Sequence, residues 1–195
     1  DAIRVVARRG ELMEAAVPAG VGAMAAVLGA EASLIEETLS EIPEVWIANY
    51  NCPGQIVISG KKEAVEAAAE ALKARGIKRV LMLNVSGPFH SGLLREAGEE
   101  LGKVLAETEI HPLRIPYYAN VTGGIVEDAA KVRGLLTEQV YSSVRFEQSI
   151  RNMLAAGVDT FYELGPGKTL AGFVKKIDRE ATVVNIETME DLAKI

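Results

Sequence analysis

The order in which apolar runs and helical patterns follow one another constrains this chain most. "GVGAMAAVLG" is a short apolar run between glycines, and "EASLIEETLSEI" after it places Leu34, Ile35, Leu39 and Ile42 at helical spacing. "VWIANYN" and "QIVISG" read as two strands joined by the turn "CPG". "KKEAVEAAAEALKARG" is an alanine-rich helix stopped by Gly76, and "RVLMLNV" reads as a further buried strand. The resulting order, β-α-β-β-α-β over residues 21–86, predicts a split βαβ, ferredoxin-like subdomain.

Outside that unit the pattern changes. Residues 1–15 read as an amphipathic helix, with Ile3, Val6 and Ala7 on its apolar side. "SGLLREAGEELGKVLAETEI" is a long helix with Leu93, Leu94, Leu101, Val104 and Leu105 turned inward and Ser91 as its N-cap. "IPYYANVTG" is extended and ends in a turn, while "EDAAKVRGLLTEQVYSSV" and "FEQSIRNMLAAG" are helical. "TFYELG", "KTLAGFVKKI" and "TVVNIE" follow as strand, helix and strand. This alternation predicts an α/β layer with a mostly parallel sheet. Residues 1–20 and 87–195 then form a larger α/β subdomain, with residues 21–86 inserted as the smaller one.

Composition excludes several classes of function. A net charge of −6 is opposite to the basic footprint of a nucleic-acid binder. The lone cysteine, Cys52, permits no intrachain disulfide and fits a reducing, cytoplasmic setting. No apolar run approaches the roughly 20 residues of a membrane-spanning helix. The chain opens without Met, already inside a helical pattern, which reads as a fragment or a processed piece.

"NVSGPFHSGLL" presents His90 where an apolar run breaks at Gly87-Pro88 and a helix begins. A lone histidine is more often structural, but α/β enzymes expose their reactive side chains at such strand-to-helix corners. His111, before Pro112 in a polar link, reads as a solvated residue. The two histidines and single cysteine lack zinc-ligand spacing, so no metal is expected. Ser86, Ser91, Ser142 and Ser143 are nucleophile candidates by residue type alone, because none sits in G-x-S-x-G. "ELGPGKTL" ends like a phosphate-binding loop, yet Tyr162 stands where that loop requires its first glycine. A tight turn with Gly165 and Gly167 in unusual dihedrals is the better reading, although the following helix N-terminus could hold an anion.

Five collinear blocks add to this: "RRGELMEAAVPAGVGAMAAVLG", "NYNCPGQIVISG", "VSGPFHSGLL", "EQVYSSVRFEQSI" and "YELGPGKTLAGFVKKI". Together, from residue 1 to about 190, they resemble the malonyl-CoA:acyl carrier protein transacylase family and the related acyltransferase domains of polyketide and fatty acid synthases. The resemblance implies an α/β-hydrolase-like larger subdomain around the ferredoxin-like one. It implies transfer of a malonyl group from malonyl-CoA to the phosphopantetheine thiol of acyl carrier protein in fatty acid biosynthesis, with no cofactor. By the same resemblance His90 is the general base, and Arg9 grips the malonyl carboxylate. Gln139 lies at the backbone that orients His90, with Val140 after it where the family has Leu. Asn51 and Gln55 belong to a substrate-binding hairpin, and Phe89 leaves little room for an α-methyl branch.

The family's G-Q-G block and its G-H-S-L-G nucleophile elbow do not occur in residues 1–195. The serine and the oxyanion-holding amides are therefore expected on a missing N-terminal segment, a separate chain or the rest of a longer one. Residues 1–195 alone are expected to be inactive without that complement. An acidic carrier protein needs a local basic surface, for which Lys61, Lys62, Arg75, Lys78 and Arg79 are candidates. The competing function is a non-catalytic module that binds acyl-CoA or carrier protein.

Overall fold

The computed structural model describes residues 1–85 and 87–193, so Ser86, one of the four candidate serines, lies outside the described residues. Helix α1 (Ala2–Ala16) leads into β1 (Gly22–Leu28), α2 (Ala32–Ser40), β2 (Val45–Cys52), β3 (Gln55–Lys61), α3 (Lys62–Ala74) and β4 (Arg79–Met82). These strands form one sheet in the order β2-β3-β1-β4, antiparallel at every step. Gly76 ends α3 at φ 93°, a left-handed turn that only glycine adopts freely.

Side-chain alternation gives this sheet two different faces. On one, Val27, Ile47 and Ile58 pack against Ile35 and Leu39 of α2 and Val65 and Leu72 of α3. On the other, Met24, Ala48 and Val57 form a small cluster that receives Phe89. The helices thus cover one face, and the Gly87–His90 corner occupies the other. The "RVLMLNV" run differs from its expected burial: β4 is four residues long, and Leu81 and Met82 are about half exposed. Among the described residues it is an edge strand, paired only with β1, so its side chains have neighbours on one flank alone.

After the corner the chain makes a 3-10 turn at Gly92–Leu94 before α4 (Arg95–Ala106), so the helix starts later than its apolar pattern predicts. Ser91 is not its cap. The residue is fully buried, and its hydroxyl donates to the Pro88 carbonyl at 2.7 Å. Leu94, Leu101 and Leu105 pack with Met13 of the first helix, with Val17 just beyond it and with Val140.

The remaining elements are β5 (Tyr117–Tyr118), β6 (Ile125–Val126), α5 (Val132–Gln139), α6 (Phe146–Ala155), β7 (Thr160–Leu164), α7 (Thr169–Ile177), β8 (Thr182–Ile186) and α8 (Met189–Leu192). Ile150, Val174 and Ala181 join α6 and α7 in a separate core. β5 and β6 pair antiparallel, β7 and β8 parallel. The mostly parallel sheet expected here is reduced, among the described residues, to that β7–β8 pair and an isolated parallel bridge between Asn49 and Val144. Tyr162 and Leu164 of β7 are consequently 53% and 75% exposed. Among the described residues no helix is long and apolar enough to cross a membrane.

Candidate active site

The corner that carries His90 is fixed by one close approach. Pro88 is fully buried, and a Cβ on Gly22 would lie 2.3 Å from its Cδ. Glycine at the start of β1 is therefore the condition for docking the corner on the sheet. His90 itself has φ 57°, a left-handed backbone that non-glycine residues adopt only when their surroundings enforce it.

His90 Nδ1 lies 2.9 Å from the carbonyl oxygen of Gln139, at the C-terminal end of α5. A carbonyl only accepts, so Nδ1 carries the hydrogen and Nε2 keeps the lone pair of the neutral ring. Burial depresses the His90 pKa below its usual value. The Gln139 carbonyl opposes that shift, the positive charge of Arg9 reinforces it, and the Ser142 backbone opposes it again. The net direction is downward, which keeps the ring neutral at pH 7 and its Nε2 basic.

Arg9 lies midway along α1, close enough for its charge to act on His90. Its neighbour Arg8 pairs with Glu11 at 2.9 Å, but Arg9 has no carboxylate partner among the described residues. Burial lowers its pKa from the ordinary arginine value, yet a guanidinium starts so high that it stays charged. A half-buried cation without a counter-ion is poorly compensated until an anion arrives.

Arg9 and His90 line one cavity of about 980 Å³. Met13 of α1 and Val17 just beyond it, Met24 and Val57 of the sheet, Leu83 and Phe89 give it apolar walls, and Asn49 contributes an amide. Of the residues singled out by sequence, the structure brings together His90, Arg9, Phe89 and the Gln139 carbonyl. It does not bring Asn51 or Gln55 to the wall. Strand β2 shifts register between Ile47 and Asn49 and again between Tyr50 and Cys52, and Asn49 is the lining amide instead. Gln55 turns outward to Lys176, its Oε1 accepting from Nζ at 3.4 Å.

No serine hydroxyl among the described residues hydrogen-bonds His90. Ser91 is engaged by Pro88, and the Ser143 hydroxyl donates to the carbonyl of Ile47. The phosphate-loop look-alike is also occupied from within. Gly165 and Gly167 take φ of 126° and 92°, and the Glu163 carboxylate accepts from the amides of Leu170 at 3.0 Å and Ala171 at 2.9 Å. Glu187 accepts from Gly167 N–H at 3.2 Å. The N-terminus of α7 already holds an anion, and that anion is its own. Among the basic candidates, Lys61 pairs with Glu44 at 2.6 Å and Arg75 with Glu37 at 3.1 Å. Lys62, Lys78 and Arg79 have no ion-pair partner among the described residues. No group of three or more His, Cys, Asp or Glu suited to a metal occurs among the described residues.

The family model described as the acyl transferase domain matches residues 1–191. The malonyl CoA-acyl carrier protein transacylase of Bacillus subtilis (strain 168) is 45% identical over 196 residues, covering 98% of this chain and 62% of that protein. The protein of the same name from Staphylococcus aureus (strain MRSA252) is 39% identical, covering 98% and 64%. Among solved structures, an acyl carrier protein S-malonyltransferase from Vibrio cholerae is similar at TM-score 0.96 and 40% identity, over 99% of this chain and 64% of that one. So is a chain from a complex of a type II polyketide synthase acyl-carrier protein with its malonyl-transacylase, at TM-score 0.95 and 37% identity, over 99% and 63%. The chain thus spans somewhat less than two thirds of the length of the relatives it matches.

Proposed function

This chain belongs to the acyl transferase domain family, and we propose that it forms the base-bearing and carboxylate-binding part of a malonyl transferase. The reaction moves a malonyl group from malonyl-CoA to the phosphopantetheine thiol of an acyl carrier protein, in fatty acid synthesis and in the cytoplasm. The observation that carries this reading is a neutral, partly buried imidazole and an unpaired guanidinium on the walls of one cavity. A thioester that ends in a free carboxylate needs both.

In the proposed cycle, a serine outside residues 1–195 attacks the thioester carbonyl while His90 Nε2 takes its proton. The tetrahedral intermediate collapses, the C–S bond breaks, and the imidazolium returns the proton to the departing CoA thiolate. The pantetheine thiol then gives its proton to His90 and attacks the malonyl-serine ester; the C–O bond breaks, and the imidazolium returns the proton to the departing serine oxygen. Throughout, Arg9 holds the malonyl carboxylate and the Gln139 carbonyl holds the imidazole tautomer, the part an aspartate plays in a three-residue triad. Phe89 restricts the space beside the acyl carbon and so favours malonyl over branched homologues.

For the architecture we take residues 21–86 as a ferredoxin-like subdomain inserted between residues 1–20 and 87–195 of an α/β-hydrolase-like one. The strand order β2-β3-β1-β4 supports the first assignment. The parallel β7-α7-β8 unit supports the second.

Arg9→Ala in the acyltransferase that contains this chain tests the reading. Loss of a charge-assisted pair is worth about 1.5–3 kcal/mol, so kcat/KM for malonyl-CoA should fall roughly 10- to 100-fold. Transfer of acetyl, which has no carboxylate to grip, should change less than about threefold. Equal losses for both substrates would remove Arg9 from the role.

A further inference from the structure

The Ser143 hydroxyl lies outside the proposed chemistry, yet it joins two parts of the site. It donates to the carbonyl of Ile47 at 2.5 Å, a contact across 96 positions of sequence. Next to it Val144 N–H donates to Ala48 O at 2.7 Å, and Tyr50 N–H donates to Val144 O at 2.8 Å. These three bonds bracket Asn49, the β2 residue on the cavity wall. They also occupy the outer edge of β2, the flank that faces away from β3, its one partner strand among the described residues.

The other end of the same short segment reaches the imidazole. Gln139 O receives His90 Nδ1, Val140 is fully buried, and the Ser142 backbone also acts on the His90 ring. Six consecutive residues therefore touch both the proton acceptor and the strand that forms the opposite wall.

We infer that residues 139–144 are a brace setting the separation between His90 and the β2 wall of the cavity, with Ser143 as its positioning residue. This rests on the acyl-transfer reading of the cavity. Ser143 never meets the acyl group. It acts through Ile47 and Val144 on where Asn49 stands relative to the base.

The test has two arms. In hydrogen exchange, Ser143→Ala should speed exchange of the Val144 and Tyr50 amides roughly three- to tenfold, the range expected for one net hydrogen bond. Ser143→Thr keeps a hydroxyl and should stay near the unsubstituted rates. In the acyltransferase that contains this chain, Ser143→Ala should raise KM for malonyl-CoA several-fold with kcat within about twofold, and Ser143→Thr should restore it. The acid limb of the pH profile should not move, because the Gln139 contact survives.

Unchanged exchange would overturn the brace. Faster exchange with unchanged KM would overturn the positioning role. A joint fall of kcat and thermal stability that threonine does not rescue would mark Ser143 as merely structural and overturn it too. Absence of malonyl transfer by the unsubstituted enzyme would instead defeat the acyl-transfer reading, and the exchange arm would still decide the brace.

Discussion

Alanine at position 22 adds a Cβ that would lie 2.3, 2.4 and 2.6 Å from Cδ, Cγ and Cβ of Pro88. Carbon atoms settle at about 3.5 Å or more, so the ring or the strand must yield by about 1.2 Å. Neither is soft, since Gly22 is registered against Lys61 in the β1–β3 ladder and the proline ring is fully buried. The displacement passes to the corner, where Pro88 is two residues from His90. Overpacking of this kind costs about 1–3 kcal/mol, offset by about 0.4–1 kcal/mol from the less flexible unfolded chain.

A net loss of about 1–2 kcal/mol lowers Tm by about 2–8 °C in a domain of this size, measurable by scanning calorimetry. Catalysis should suffer more, because a shift of about 1 Å in a reacting group costs about 100-fold in rate. The assay is kcat/KM for malonyl-CoA in the acyltransferase that contains this chain. Adding Pro88→Gly removes all three clashing atoms and should recover part of the loss. If kcat/KM stays within about threefold while Tm falls, or the double variant is no better than the single one, the corner does not set the geometry of the base.

Two further outcomes follow from the same structure. Gly134 lies on the exposed side of α5 with no atom within 4 Å of a built Cβ, so Gly134→Ala should raise stability by about 0.5–1 kcal/mol, seen as a higher Tm. Because partial burial holds the His90 pKa below its usual value, the acid limb of kcat/KM should fall below pH 6.5, and a midpoint above that value would contradict a neutral base. The unfolded chain takes up that proton first, so the stability linked to His90 is complete above pH 6.5 and is lost as pH falls through the folded pKa.

Much of this was legible in the sequence where a single local rule decides the outcome. Gly76 and Gly157 end their helices at φ 93° and 89°, as a glycine after an apolar periodic run predicts. The β-α-β-β-α-β order of residues 21–86 followed from periodicity alone. What failed depended on neighbours distant in sequence. The burial of Leu81 and Met82 depends on whether β4 has one flanking strand or two, which no local pattern reports. Asn49 and Asn51 are two apart, so alternation puts them on the same face, and only the register shifts in β2 separate them. Ser91 has the residue type of a cap but is claimed by the Pro88 carbonyl three residues before it. The left-handed backbone of His90 had no sequence signal beyond the Gly-Pro pair that precedes it.

The Glu163 carboxylate at the start of α7 has a consequence for how that turn responds to its surroundings. A carboxylate tethered seven and eight residues from the two amides it accepts from behaves like a ligand present at millimolar effective concentration or more, and it never diffuses away. Any free phosphate must displace this resident competitor before it can use the same N–H groups. The turn is thereby self-saturated. Its shape is independent of how much nucleotide surrounds it, although its sequence resembles a loop whose shape nucleotide would set.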